Sequence, residues 1–198
     1  MADAQAVDIS IVLDRSGSME TVREETVTAF NKFLVKQRQV PGEVTLSLVQ
    51  FDDEYEVGYD AVPLENVPDL TQQRFVPRGR TALLDAMGKM VRQLDARLDA
   101  APAEQRPGLI LFVVLTDGYE NASREFDQHA VFDQIKQRRE RGWQFVYLGA
   151  NQDAIATASR YGIDGGGSVN FAARRGGVDR AMSSLSSAVT RSRARKSA

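Results

Sequence analysis

The chain has 198 residues, 42% hydrophobic and 26% charged, with a net charge of −2, the make-up of one ordinary globular domain. It has no cysteine and a single histidine, His129. That excludes disulfides, thiolate metal sites, cysteine nucleophiles and histidine-rich zinc sites, and a Ser-His-Asp triad would rest on one side chain. No run approaches 18 apolar residues and the first residues are acidic, so neither a membrane helix nor a signal peptide is expected; the expectation is a soluble cytoplasmic protein.

Residues 7–13 (VDISIVL) are mostly apolar and rich in β-branched side chains, which reads as a buried strand. Val22, Thr26, Phe30, Phe33 and Leu34 recur at helical spacing and predict a helix over residues 19–36, stopped by Pro41-Gly42. Residues 44–51 (VTLSLVQF) form a second strand, and after Asp52-Asp53 the alternation of Tyr55, Val57 and Tyr59 predicts its hairpin partner. Residues 61–77, with Pro63, Pro68 and Pro77, read as irregular. Leu84, Met87, Val91, Leu94 and Leu98 mark one face of a clear helix. Residues 109–115 (LILFVVL) are wholly apolar, the pattern of a central strand covered on both faces.

Val131, Phe132 and Ile135 predict another helix, residues 143–148 (WQFVYL) a strand, and residues 153–161 a short helix. Gly165-Gly166-Gly167 reads as a flexible linker before a short edge strand at 168–171, and Val178, Met182, Leu185 and Val189 place a last helix against the sheet. The final nine residues carry Arg191, Arg193, Arg195 and Lys196 and no acid, which leaves residues 1–189 at a net charge of −6. The reading is one domain over residues 1–189 and a basic, disordered tail over residues 190–198. The alternation predicts an α/β fold: a doubly wound, mostly parallel central sheet with one antiparallel edge strand and helices on both faces. Ligands in such folds bind beyond the carboxyl ends of the strands, here the loops after the first strand and after residues 109–115.

Those loops hold the chemistry. Asp14-Arg15-Ser16-Gly17-Ser18 sets three oxygen-bearing side chains at alternate positions, and Thr116-Asp117-Gly118 adds a second carboxylate at the same sheet edge. Between them Gly79-Arg80-Thr81 precedes a helix, so Thr81 is either its N-cap or a hydroxyl ligand. Hard oxygen donors suit Mg²⁺, Mn²⁺ or Ca²⁺.

These residues resemble the metal-ion-dependent adhesion site of the von Willebrand factor A domain family, whose pattern is Asp-x-Ser-x-Ser, a distant Thr and a distant Asp. Here it reads Asp14, Ser16, Ser18, Thr81 and Asp117, within DISIVLDRSGSM, GRTALLDAM and VLTDGYENAS. The resemblance spans about residues 7–190 and suggests a small stand-alone bacterial or phage member. It implies that Ser16 and Ser18 bind a divalent ion directly and Thr81 directly or through water. Asp14 and Asp117 would act through waters and through hydrogen bonds to the serines. The expected ion is Mg²⁺, with Mn²⁺ or Ca²⁺ as alternatives, and its open position would take an exposed Asp or Glu of a partner protein. Arg15, Arg78 and Arg80 would add to an acid-seeking surface.

Each element also has a plainer reading. Asp14 and Ser16 could close a turn, Asp117-Gly118 could be another, and Glu120, Asn121 and Ser123 could be ordinary loop polarity. Asp85 is either a support for the site or a helix N-terminal acid, and His129 reads as a surface residue. Against an enzyme, there is no Gly-x-x-x-x-Gly-Lys-Ser/Thr loop, and Ser16 stands where an Asp-x-Asp phosphatase motif needs an acid. The expectation is therefore a non-catalytic interaction module without membrane partners. An Mg²⁺-dependent phosphoryl-transfer enzyme or phosphatase, and a nucleic-acid arm in the basic tail, are the weaker alternatives.

Overall fold

The apolar run at residues 109–115 sets the architecture. The computed structural model describes residues 3–150, 153–171 and 176–196. Strand β4 (Pro107–Thr116) turns Leu109, Leu111, Val113 and Leu115 to one face and Ile110, Phe112 and Val114 to the other, all buried. A strand apolar on both faces belongs in the middle of a sheet. β4 lies in parallel between β1 (Asp3–Asp14) and β5 (Gln144–Gly149). β1 pairs in parallel with β2 (Val44–Phe51), and β5 with β6 (Ser168–Asn170). β3 (Tyr55–Pro63) is antiparallel to β2 and closes one edge, so the six strands run β3-β2-β1-β4-β5-β6.

Helices cover both faces. α1 (Arg23–Arg38) and α5 (Gly177–Lys196) pack Phe30, Phe33, Leu34, Met182 and Leu185 on the face formed by Ile9, Ile11 and Val113. α2 (Leu83–Ala100), α3 (Gln128–Glu140) and α4 (Ala154–Arg160) cover the other face through Met87, Met90, Leu94, Ile135 and Ala158. The chain winds outward from β1 in one direction and from β4 in the other, so the switch point lies between the carboxyl ends of these two strands. The doubly wound sheet with one antiparallel edge strand is as the sequence predicts.

Three local expectations are corrected. The segment after β1 begins as a 3₁₀ turn over Gly17–Val22, closed by the Met19 N–H on Ser16 O at 3.0 Å, and α1 starts only at Arg23. Gly165–Gly167 is a tight 3₁₀ turn leading into β6, with the Gly167 N–H on Asp164 O at 2.8 Å, rather than a linker. Residues 190–196, expected as a disordered tail, continue α5. The reason is Arg193, 3% exposed, which donates to Gln37 O at 2.8 Å, Val40 O at 2.5 Å and Pro41 O at 3.2 Å. These carbonyls at and beyond the C-terminus of α1 need donors, and the guanidinium supplies them.

Candidate metal centre

Asp14 is the last residue of β1 and is fully buried. Its Oδ1 accepts the Ser16 N–H at 2.6 Å and its Oδ2 accepts the Thr116 hydroxyl at 2.5 Å. The carboxyl group thus ties the end of β1 to the end of β4. Burial pushes its pKa up to about 6, against the hydrogen bonds from Thr116 and Ser16, and the charge of Asp117 adds to the rise. Ser18 donates its hydroxyl proton to Asp117 Oδ1 at 2.6 Å. Its oxygen lies 3.2 Å from Ser16 Oγ, within hydrogen-bond reach, and the Ser16 side chain also hydrogen-bonds the Asp14 carboxyl group. Burial also raises the pKa of Asp117, opposed by Ser18.

Thr81 is 3% exposed and sits ahead of α2. It does not cap the helix: Ala82 holds the cap position and no side chain bonds there. Asn121 clamps the Thr81 backbone in both directions, at 2.9 Å to its N–H and 3.0 Å from its carbonyl. Thr81 Oγ1 has no hydrogen-bond partner among the described residues. A Cβ placed on Gly118 would stand 3.0 Å from Thr81 Oγ1 and 3.6 Å from Asp14 Oδ2. Gly118 therefore leaves a space between the two loops that any side chain would fill.

The loop carrying Thr81 is fitted between its neighbours by backbone bonds. Arg78 N–H donates to Arg15 O at 2.8 Å, Gly17 N–H to Gly79 O at 3.3 Å, and Ala82 N–H to Asp52 O at 2.9 Å. Gly79 has φ +65°, and Asp53 fills the place its side chain would take, so glycine is required. The five residues that the sequence singles out are thus brought to one edge of the sheet. Asp14, Ser16, Ser18 and Asp117 join in one hydrogen-bonded chain, with Thr81 across the Gly118 gap.

Thr116 is a site residue that sequence reasoning missed; its signal is a hydroxyl closing an otherwise apolar strand. Glu120, Asn121 and Ser123 are structural ties rather than ordinary loop polarity, and Asp85, in the first turn of α2, is a fourth tie. Glu120 accepts from the backbone N–H groups of Leu84, Ala122 and Ser123, and Asp85 from those of Arg124, Glu125 and Phe126. They fasten the loop after β4 to the start of α2. His129 lies exposed on α3 beside Asp133.

The acid-seeking arginine surface is corrected. Arg15 is 4% exposed and pairs with Asp52 at 3.1 Å and Glu56 at 2.6 Å. Arg78 pairs with Asp52 at 2.8 Å and Glu54 at 2.5 Å. Arg80 is exposed, lies beside Asp53, and among the described residues forms no close ion pair. The alternation through the loop turns Arg15 away from the oxygen side chains on either side of it.

The donor set is two carboxylates and three hydroxyls. Among the described residues no three His, Cys, Asp or Glu side chains cluster as in an acid- or histidine-rich ion site. Hard, mostly neutral oxygen donors around an open space fit a small divalent cation.

The fold is that of the von Willebrand factor type A domain, whose family model matches residues 8–178; the chain belongs to this family. No curated protein sequence matches it. Among solved structures it resembles proximal thread matrix protein 1 from the mussel byssus (TM-score 0.66, 14% identity), covering 96% of this chain and 47% of that one. The chain thus spans about half the length of the mussel protein, which has also been solved with a zinc-occupied site of the adhesion motif. It also resembles the von Willebrand factor domain of the type V pili tip protein Mfa5 from Porphyromonas gingivalis (TM-score 0.66, 11% identity; 94% of this chain, 96% of that one). A third likeness is the manganese-loaded TRAP protein of Plasmodium vivax (TM-score 0.50, 14% identity; 75% of this chain, 59% of that one).

Proposed function

We propose that the chain is a divalent-metal-dependent protein-interaction module that binds an exposed Asp or Glu of a partner. The observation that carries this is the hydrogen-bonded run Asp14–Ser16–Ser18–Asp117 facing, across Gly118, the Thr81 hydroxyl, which has no partner among the described residues. Ser16, Ser18 and Thr81 would hold the ion by their hydroxyls. Asp14 and Asp117 would orient those hydroxyls and balance part of the charge. Mg²⁺ suits this donor set, and Mn²⁺ and Zn²⁺ are the ions named for the neighbouring structures. When bound, such an ion supplies an under-neutralised position for an incoming carboxylate.

The surroundings set the partner's fit. Tyr119, 64% exposed, projects beside the site and offers an aromatic contact of the kind that anchors interfaces. Arg80, exposed on the Thr81 loop beside Asp53, adds a cation to the rim. The reading is binding rather than catalysis. What supports it is that Arg15 and Arg78 are committed to Asp52, and the single histidine, His129, lies exposed on α3. Calorimetry with Mg²⁺ tests the metal step: one ion should bind per chain, and Asp14→Ala should abolish the heat. Capture of a partner in Mg²⁺, release with a chelator, and replacement of the partner's acids by amides then tests the carboxylate. Binding that survives the chelator and every replacement would sink the proposal.

A further inference from the structure

Three consecutive backbone N–H groups, centred on Thr81, are each held from another part of the chain. Arg80 N–H donates to Asp53 Oδ1 at 3.1 Å, Thr81 N–H to Asn121 Oδ1 at 2.9 Å, and Ala82 N–H to Asp52 O at 2.9 Å. Two of these anchors come from the turn between β2 and β3, which carries none of the five oxygen-bearing site residues.

Asp52 and Asp53 divide the tasks of that turn. Asp52 is fully buried and builds it: its Oδ1 accepts the Glu54 N–H at 2.6 Å, and its own N–H donates to Glu54 O at 3.1 Å. Asp53 is exposed, belongs to neither apolar cluster and takes no part in those bonds. Its carboxylate is turned onto the loop ahead of α2. There it accepts from Arg80 and fills the place that a side chain on Gly79 would take. Hydrogen bonds from the Arg80 N–H and from its own, with the charges of Arg80 and Arg78 nearby, hold its carboxyl below the usual range, so the contact is charge-assisted at neutral pH. The Thr81 hydroxyl has no partner among the described residues, so the backbone on either side sets its place.

We propose that Asp53 is a positioning residue of the metal site: it holds the Arg80 N–H, packs over Gly79, and so fixes the Thr81 hydroxyl opposite Asp14 before an ion arrives. A donor already in place loses less freedom on binding, so affinity falls when its holder is removed. The consequence for an ion rests on the interaction-module reading; the seating of Thr81 does not.

The test uses the isotope-labelled full chain, first in EDTA and then with Mg²⁺ added. The forms compared are wild type, Asp53→Ala, Asp53→Asn, Thr81→Ala and the double variant of Asp53→Ala with Thr81→Ala. In EDTA, Asp53→Ala should speed amide exchange at Arg80 by about tenfold or more and shift the Thr81 methyl signal. Melting should stay within about 2 °C of wild type, because no buried apolar contact is lost. In Mg²⁺ the same variant should bind about tenfold more weakly, a loss common for residues that orient metal ligands. Asp53→Asn keeps an acceptor oxygen in the same place and should lose no more than about threefold, since only the charge assistance goes. Thr81→Ala should weaken binding as well, and Asp53→Ala should then add almost nothing, because the group it positions is already gone. Additive losses in the double variant, or Asp53→Asn as damaging as Asp53→Ala, would overturn the proposal by showing that Asp53 acts on the ion through its charge. A Thr81 methyl signal that Asp53→Ala leaves unmoved in EDTA would overturn it too. Affinity lost in step with melting would overturn it in favour of a purely structural role. Wild-type affinity in Asp53→Ala would sink this proposal alone, whereas absence of Mg²⁺ binding by the wild type would sink the metal reading and this consequence with it.

Discussion

Gly118 keeps the space between Thr81 and Asp14 open by having no side chain. Its backbone φ is not in the left-handed region, so alanine is acceptable to the chain there and the cost falls on the site. The added methyl would lie 3.0 Å from Thr81 Oγ1 and push that hydroxyl aside. Gly118→Ala should lower Mg²⁺ affinity by about tenfold or more, or about 1.4 kcal/mol. Melting in a chelator should move by no more than about 2 °C, since no buried apolar contact is lost. Asp14 gives a second prediction at this scale. Its carboxyl pKa is about 6 in the metal-free fold against 3.8 for the ordinary group. A raised pKa means the folded state holds the proton more tightly than the unfolded state. The ionised Asp14 therefore costs stability above pH 6, and that cost fades as pH falls toward 4. The difference is about 3 kcal/mol across the window, roughly half of it recovered by pH 5. Asp14→Asn removes this dependence. Urea unfolding in EDTA should show wild type gaining on the variant as pH drops from 7.5 to 5; a constant gap would contradict the burial of an ionisable group at this position.

Among the elements, the long segment between β3 and α2 explains what the sequence shows and what it hides. Helical and strand periodicity mark β4, α2 and α5 because their apolar spacing is local, and the Asp14, Ser16 and Ser18 alternation is local too. The path of residues 64–82 is not legible in that way. It is fixed by α1 side chains that bond its backbone from far away in sequence. Arg38 donates to Leu64 O and Val67 O, Asn31 bonds Leu70 in both directions, and Arg23 donates to Phe75 O and Gln72 O. Nothing in residues 64–82 announces these partners, and they are polar positions on a helix that reads as merely amphipathic. The end of α5 is hidden for the same reason. Arg193 reads as one more tail charge, yet its guanidinium reaches Gln37 O, Val40 O and Pro41 O in a buried setting. Arg193→Ala leaves those carbonyls without their donor and should cost about 2–4 kcal/mol. Arg191→Ala, at an exposed position one half-turn away, should fall within about 0.5 kcal/mol of wild type. Chemical denaturation of the two variants side by side checks this; equal, small effects would restore the view of a dispensable tail.

For the molecule as a whole, the core and the metal loops are separate sources of stability. Two apolar clusters, one on each face of the sheet, hold the buried side chains of all five helices, and none of the five oxygen-bearing site residues belongs to either. The fold should therefore survive without the ion, unlike small domains whose structure depends on metal. Metal binding then adds stability by mass action alone. At a free concentration one hundred times the Kd the gain is about 2.7 kcal/mol, which for a domain of this size raises Tm by roughly 5–10 °C. The increment should grow with the logarithm of ion concentration, and at equal concentration it should increase from Mg²⁺ to Mn²⁺ to Zn²⁺, following the general order of affinities for oxygen and nitrogen donors. It should vanish in the Asp14→Ala and Asp117→Ala variants while their melting in EDTA stays cooperative. Calorimetric melts across an ion series measure all of this at once. Loss of the cooperative transition in EDTA would show that the ion builds the fold rather than occupying a site the fold has already made.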